Sequence, residues 1–206
     1  ESTATILRTT FNGTHAKIGG GAIHASYSTL HLHEVFVTGA RYNKGAALLL
    51  ENAIEVDVAD TEFRRCESVY DGGAIHATAS LVRARRLILL ENRAGIFGGA
   101  VLISERAEMD MEDSTMVGNV AWLGGALAMD RNSRARVKKT IFTSNQARMG
   151  GAFYVSVNPD VVSFEDSTFN RNAARFGSAM FIEFSKVELR SSLVRENAAT
   201  LFAAIR

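Results

Sequence analysis

Carboxylates recur at short spacing along this chain, and a cluster of them could perform acid–base or metal chemistry. Two acid pairs stand out, Glu55 with Asp57 and Asp110 with Glu112, each with one residue between its members. Carboxylates that project together from one face can bind a cation, or protonate a leaving group while a second one acts as a base or nucleophile. Basic residues occupy the corresponding positions of neighbouring segments: Arg83, Arg85, Arg136 and Lys138. The fold therefore decides whether these acids are free to react.

The elements that position these residues follow from an internal repeat of about 26 residues. A Gly-Gly-Ala-aliphatic block begins at Gly20, Gly72, Gly98, Gly124 and Gly150, and degenerate copies begin at Gly45, Gly177 and Phe202. A fixed period of this length indicates a solenoid, in which each repeat buries its apolar face against its neighbours.

Each repeat is predicted to contain three short strands. Two apolar columns run through all repeats, as at Val82 and Ala84, with mostly polar residues between them. This alternation is typical of a strand with one buried face. The glycine block begins a second strand, and a third surrounds a bulky apolar residue that precedes the block. No segment has helical spacing, so the pattern predicts an all-β, right-handed parallel β-helix with about eight coils of ~26 residues.

Opposite charges alternate between coils on the outward side of the first predicted strand. Arg83 and Arg85 are followed one coil later by Asp110 and Glu112, and basic residues follow again in the next coil. We therefore interpret the acids as members of ion-pair ladders. Each exposed pair contributes about 0–1 kcal/mol, and a coil that slipped in register would place like charges together.

One column carries the same side chain in five consecutive coils: Asn92, Asn119, Asn145, Asn172 and Asn197. Stacked amides can donate and accept hydrogen bonds along a solenoid, and asparagine also tolerates a left-handed backbone at a bend. We therefore predict a structural asparagine ladder. Thr14, Ala40 and Cys66 occupy this column in the first three coils, so we expect a looser N-terminal end.

A further column of the glycine-block strand is apolar although the alternation places it on the outward side. Its apolar members are Leu49, Leu102, Ala128, Tyr154 and Phe181. An apolar stripe along a rod is a candidate contact surface for a partner protein or for a second copy of the chain. The alternatives are that other chain covers the stripe, or that the strand faces the opposite way.

The histidines and the single cysteine give no pattern of a metal site. His24 and His76 fall two coils apart in one column, whereas metal ligands must converge within about 2–2.5 Å of one point. We expect surface histidines, and we predict no catalytic, cofactor-binding or metal-binding residue. Cys66 is the only cysteine, which excludes a disulfide within the chain, and we expect it to point inward as a small apolar filler.

Composition argues against several classes of partner. The net charge is +1 and hydrophobic residues make up 47% of the 206 residues, so a substantial core can form. This balance gives no reason to expect nucleic acid as a partner. No apolar run approaches the roughly 18 residues that span a bilayer, so we expect no direct membrane insertion.

The paired landmarks, Gly-Gly-Ala-(Ile/Leu/Val) and Phe-x-x-Asn, resemble the repeats of the chlamydial polymorphic outer membrane proteins. Phe-Thr-Ser-Asn at 142–145 and Phe-Asn-Arg-Asn at 169–172 match the second motif in full, and the other coils match in part. The resemblance implies a right-handed parallel β-helix of the pectin-lyase-like type. In that family the β-helix is the exported passenger of an autotransporter and is implicated in adhesion.

We therefore expect residues 1–206 to form a single β-helix domain, as a segment of a longer chain. We expect a non-enzymatic adhesion or assembly rod, extracellular or on the cell surface, and outer-membrane associated if the source is bacterial. Its expected partner is a protein or a second copy along the rod, and carbohydrate stays open as a ligand. Two alternatives also stay open: a polysaccharide lyase or hydrolase, and an internal strut of a large complex.

Overall fold

The computed structural model describes residues 2–16, 20–157 and 161–200, and these form an all-β parallel solenoid. It has about 7 turns of ~26 residues with three main parallel sheets. Eight coils were expected from the sequence. The eighth glycine-type block, Phe202-Ala203-Ala204-Ile205, lies outside the described residues, so the described solenoid is shorter than the repeat count indicates.

Each turn passes through four strand positions, A to D, and the three main sheets are formed at positions A, B and D. Sheet A consists of Ser2–Leu7, Ser28–His33, Glu55–Ala59, Leu81–Arg85, Glu108–Glu112, Arg134–Lys138, Val161–Glu165 and Lys186–Arg190. Sheet B consists of Thr10–Asn12, Phe36–Thr38, Glu62–Arg64, Ile88–Leu90, Thr115–Val117, Ile141–Thr143, Thr168–Asn170 and Leu193–Arg195. Sheet D consists of Ile23–Ser26, Leu48–Glu51, Ile75–Thr78, Val101–Ser104, Leu127–Met129, Phe153–Ser156 and Met180–Glu183.

A fourth strand position, sheet C, lies between sheets B and D, where the sequence predicted only a turn. It has two three-stranded parts: Arg41–Lys44, Glu67–Asp71 and Arg93–Ala94, then Gln146–Met149, Ala173–Phe176 and Ala198–Ala199. Isolated parallel bridges at Val120 and Leu123 join the two parts. These strands are short and their register shifts between Ser68 and Asp71, so no regular alternation marks them in the sequence.

Each turn bends at four corners, and a residue with a left-handed backbone marks each kind of corner. Arg86, Glu91, Gly98 and Glu105, which follow sheets A, B, C and D, have φ values of 52, 55, 62 and 54°. Glycine is required at the corner between sheets C and D because a Cβ on Gly98 would lie 2.0 Å from the carbonyl oxygen of Val101. The glycine blocks therefore mark this corner.

The inward columns form one hydrophobic core along the solenoid. Four phenylalanines fill its C-terminal half, with the Phe142 and Phe169 rings stacked at 4.7 Å and the Phe153 and Phe164 rings edge-on at 5.0 Å. All four side chains are fully buried. Each such side chain contributes roughly 1.5–3 kcal/mol to folding, so the apolar columns dominate the stability of the stack.

The five asparagines of the repeated column lie one above the other and form a hydrogen-bonded ladder. Asn145 Oδ1 accepts hydrogen bonds from the backbone N–H and from Nδ2 of Asn119, at 2.9 and 3.0 Å. Asn119 Nδ2 also donates to the carbonyl oxygen of Leu89 at 2.9 Å. The same pattern continues through Asn172 and Asn197, so each side chain joins three consecutive turns.

The ladder ends at Cys66, whose backbone N–H donates to Asn92 Oδ1 at 3.0 Å. Cys66 is buried, as expected, and burial raises the pKa of its thiol to about 12.

The bend next to the ladder is made by the residue before each asparagine, as at Ser144 with φ of 57°. The expectation of a left-handed asparagine is therefore wrong, because the amide acts through its side-chain hydrogen bonds.

Candidate functional site

The acids that the sequence singled out on sheet A all have a basic side chain within 4 Å. Their closest basic partners lie on adjacent turns: Arg83 for Glu55, His31 for Asp57 at 3.3 Å, Arg136 for Asp110 at 3.4 Å and Lys139 for Glu112 at 3.7 Å. Lys138 pairs with Glu165 instead, at 3.5 Å. The geometry therefore provides no pair of free carboxylates among these four acids.

Metal binding finds no support in residues 2–16, 20–157 and 161–200, where no group of three or more His, Cys, Asp or Glu side chains could hold an ion. The same part of the chain contains no helix that is long and apolar enough to cross a membrane.

The chain itself covers the apolar stripe of sheet D. Leu49, Leu102, Ala128 and Tyr154 are buried and Phe181 is half-buried. Phe97, Leu123 and Met149, which directly precede the glycine corners, pack against the stripe. The Phe97 and Tyr154 ring centroids are 6.0 Å apart. The stripe is thus a second, smaller hydrophobic cluster, and its members do not provide an open contact surface.

In the third turn the covering residue is polar. Asp71 pairs in register with Phe97, and His76 pairs with Leu102. His76 is only 5% exposed, because the glycine corner passes over it: a Cβ on Gly72 would lie 3.0 Å from the His76 Cβ. The expectation that His76 lies at the surface is therefore wrong.

His76 belongs to a polar cluster, which we name the His76 cluster, that also contains buried Ser104 and half-buried Asp71, Thr78 and Asp130. His76 Nε2 lies 3.2 Å from Ser104 Oγ and 3.3 Å from Thr78 Oγ1. Burial lowers the pKa of His76 to about 4 and raises the pKa of both Asp71 and Asp130. His76 Nδ1, Asp71 Oδ1 and Asp130 Oδ1 accept or donate no hydrogen bond within the described part of the chain.

A serine beside a neutral imidazole is also the arrangement of a nucleophile and its base. Ser104, however, is only 4% exposed and His76 is equally covered, so a substrate has no access to the hydroxyl. The imidazole and the serine hydroxyl are therefore covered by the fold and do not form an accessible site.

Large exposed apolar side chains lie on and beside sheet C. Val69, Tyr70, Ile96 and Trp122 are exposed by 59, 46, 40 and 52%. Backbone hydrogen bonds place them on adjacent turns, because the Ile96 N–H donates to the Tyr70 carbonyl at 2.7 Å and the N–H of Leu123, next to Trp122, donates to the Ile96 carbonyl at 2.8 Å. Side chains of this size seldom stay uncovered together without a binding role.

Arginines flank this apolar surface. Arg148 Cζ lies 4.6 Å from the centroid of the Trp122 ring, and Arg175 Cζ lies 5.5 Å from the centroid of the Phe176 ring. Arg93 is bridged to Val120, two residues before Trp122. Among the described residues, no carboxylate forms an ion pair with Arg93, Arg148 or Arg175.

We name this surface the Trp122 face and define it by Val69, Tyr70, Arg93, Ile96, Trp122, Arg148 and Arg175. Two shallow depressions run along it and share Trp122 in their walls. The sequence contained a signal for it: a large residue stands two positions before five successive glycine corners, namely Tyr70, Ile96, Trp122, Arg148 and Arg175. The side-chain chemistry changes along this column, so the repeat pattern alone did not mark it.

Comparisons of the chain with protein-family models, with curated proteins and with solved structures find no match.

Proposed function

We propose that this chain is a non-catalytic binding scaffold, a β-solenoid rod that holds a partner protein on its Trp122 face. The observation that carries the proposal is a group of exposed apolar side chains on adjacent turns, beside arginines that form no ion pair with a described carboxylate. Tryptophan, tyrosine and arginine are the residue types that contribute most to the energy of protein interfaces. Such a surface is costly to leave in water unless it binds something.

The repeat motifs support a proposal for the cellular location of this rod. Gly-Gly-Ala-aliphatic blocks with Phe-x-x-Asn motifs resemble those of polymorphic outer membrane proteins and of the right-handed, pectin-lyase-like β-helices. We propose that the chain is displayed on the cell surface or secreted, and that it serves in adhesion or assembly. The parallel solenoid provides a stiff frame for this work, because every turn is hydrogen-bonded to the turns before and after it.

A carbohydrate-active enzyme is the other class that the sequence left open. Its catalytic acids would be Asp110 and Glu112, which line a shallow depression on sheet A. Both carboxylates are paired with cations, and this favours the scaffold. Turnover on a panel of polyuronides, with and without calcium, separates the two classes. We expect none, and activity that disappears in Asp110→Asn or Glu112→Gln would replace the scaffold with an enzyme.

The binding function is tested by crosslinking the partner to a residue of the Trp122 face. A photo-crosslinking amino acid in place of Ile96 would label surface proteins that contact the Trp122 face, and the labelled protein would then be purified. We expect Trp122→Ala to weaken its binding by about 30-fold or more. The control is Ile141→Ala, since Ile141 is exposed by 46% on sheet B, away from this face. Equal binding by Trp122→Ala and wild type would refute the proposal.

A further inference from the structure

We propose that the partner of the Trp122 face is an acidic protein segment, in which carboxylates lie to one side of an apolar side chain. This inference rests on the proposed function and adds the chemistry of the ligand. It follows from the arrangement of the arginines, from the exposed aliphatic side chains of the face and from the position of Glu67.

The first arginine is in contact with an aromatic ring. Arg148 Cζ lies over the Trp122 ring, 4.6 Å from the centroid, where the ring attracts the cation. Arg148 forms no ion pair with a described carboxylate, so its guanidinium is available to a ligand carboxylate. Because the ring restricts the side chain before binding, less conformational entropy is lost when a ligand arrives.

A second arginine extends the same arrangement by one turn. Met149 pairs in register with Phe176, so Arg148 and Arg175 occupy equivalent positions on adjacent turns, about 4.8 Å apart along the stack. Arg175 Cζ lies 5.5 Å from the Phe176 ring centroid. Neither arginine forms an ion pair with a described carboxylate, so this end of the face has two cations available to one anionic ligand.

The aliphatic part of the face favours a protein over a polysaccharide. Val69 and Ile96 are exposed aliphatic side chains and offer a ligand no hydrogen bond. A polyanionic sugar chain would place hydroxyls against them, and polar groups that lose water without a partner are costly. A protein segment instead supplies an apolar side chain for this part of the face and carboxylates for its arginine end.

An acid at the N-terminal end of the face sets the direction of the ligand. Glu67 begins the sheet C strand that carries Val69 and Tyr70, and its Oε2 lies 3.5 Å from Arg41 Nε. A ligand carboxylate would be repelled there, whereas Arg148 and Arg175 attract one at the opposite end. The acidic part of the partner therefore lies over the C-terminal half of the face.

The test is a selection from a displayed library of short random peptides on the wild-type chain, with counter-selection on Arg148→Gln/Arg175→Gln. We expect enriched peptides in which Asp or Glu lie to one side of an aromatic or aliphatic residue. Their affinity should fall about tenfold for each arginine removed, as expected for a lost charge-assisted hydrogen bond. It should also weaken as salt is added. The matched control is Arg134→Gln/Arg136→Gln, which removes two arginines that are paired on sheet A.

The outcomes separate this inference from the proposed function. Selected peptides with no excess of acids, whose binding is still lost in Trp122→Ala, would overturn the acidic partner and leave the scaffold standing. Peptides that bind Trp122→Ala as well as wild type would count against the face as a whole. Strong binding of heparin oligosaccharides without enrichment of any acidic peptide would show that the ligand is an anionic polysaccharide, and would also overturn the inference.

Discussion

Two faces of the same rod carry arginines, and they differ in what those arginines contact. On sheet A, Arg83 and Arg136 meet carboxylates of adjacent turns, Glu55 and Asp110. On the Trp122 face, Arg148 contacts an aromatic ring and forms no ion pair with a described carboxylate. The first arrangement satisfies charge within the molecule and favours one register of the stack. The second leaves a cation available to the partner that we propose, so the residues of the neighbouring turn, rather than the residue type, distinguish the two arrangements.

The layers beneath the two faces also differ. Sheet A rests on apolar side chains such as Val82 and Met109, which are fully buried. The Trp122 face adjoins the His76 cluster, because Asp71 directly follows Tyr70 on the same strand. One face therefore lies over a uniform hydrophobic core, and the other lies beside buried groups whose protonation depends on pH.

The largest effect that we expect is the loss of binding in Trp122→Ala. The ring supplies the central apolar contact and holds the Arg148 guanidinium, so its removal should cost about 2–4 kcal/mol of binding free energy, as at an interface hot spot. Binding of a selected peptide by isothermal calorimetry measures it. Stability should change little because half of the side chain is exposed. A comparable loss in Arg136→Gln would erase the distinction between the two faces.

The next effect concerns the acid sensitivity of the His76 cluster. The pKa of His76 is lowered by burial from 6.5 to about 4. Between these pH values the unfolded chain binds a proton that the folded chain does not, so folding stability falls as pH decreases through this window. The loss is roughly 3 kcal/mol. His76→Leu, which matches Leu49 and Leu102 in its column, should remove it, as urea unfolding at pH 7 and pH 4.5 would measure.

Other groups of the cluster act in the opposite direction and must be separated. Burial raises the pKa of Asp71 and Asp130, and Lys44 lowers the pKa of both Asp71 and His76. The raised carboxyl pKa values make stability fall as pH increases above their ordinary range. His76→Leu in an Asp71→Asn background isolates the histidine. If Asp71→Asn and the double variant His76→Leu/Asp71→Asn lose the same stability on acidification, His76 is not the group responsible.

The repeat pattern predicted the frame of the molecule because its determinants are local and periodic. Apolar alternation places Val82 and Ala84 inward, and the recurring asparagines become a ladder simply because equivalent positions stack. The burial of the apolar stripe could not be predicted from the repeat pattern. Alternation alone places this face of the sheet D strand in solvent. The left-handed corner at residues such as Gly98 instead lets Phe97 cover it.

A substitution in the asparagine ladder should lower stability without changing binding at the Trp122 face. Asn145→Ala should lower the free energy of unfolding by about 1–3 kcal/mol, because hydrogen-bond partners on the turns before and after lose their amide. Thr143→Ala, on the same turn but on the outward side of sheet B, is the control. Thermal unfolding measures both. Peptide affinity at the Trp122 face should not change, and an unaltered melting curve for Asn145→Ala would mean that the ladder adds little to stability.

The Trp122 face itself was missed for a physical reason. Its residues fall in a predicted turn, where the short strands of sheet C carry no alternation, and the column through Tyr70, Trp122 and Arg148 changes chemistry at each turn. A repeat reveals the residue types that recur in every turn, and those are the residues that the fold requires. The residues of the Trp122 face do not recur, so only the stacked structure shows that they are neighbours.

The smallest expected effect is on the paired face. Arg136→Gln removes the partner of Asp110 at 3.4 Å between side chains that are both half or more exposed, so the free energy of unfolding should fall by no more than about 1 kcal/mol. Urea unfolding at low and high salt measures it, and the difference from wild type should shrink as salt screens the pair. A larger, salt-independent loss would show that Arg136 contributes through packing of its aliphatic part. In that case the two faces would differ in how their arginines pack as well as in how they are paired.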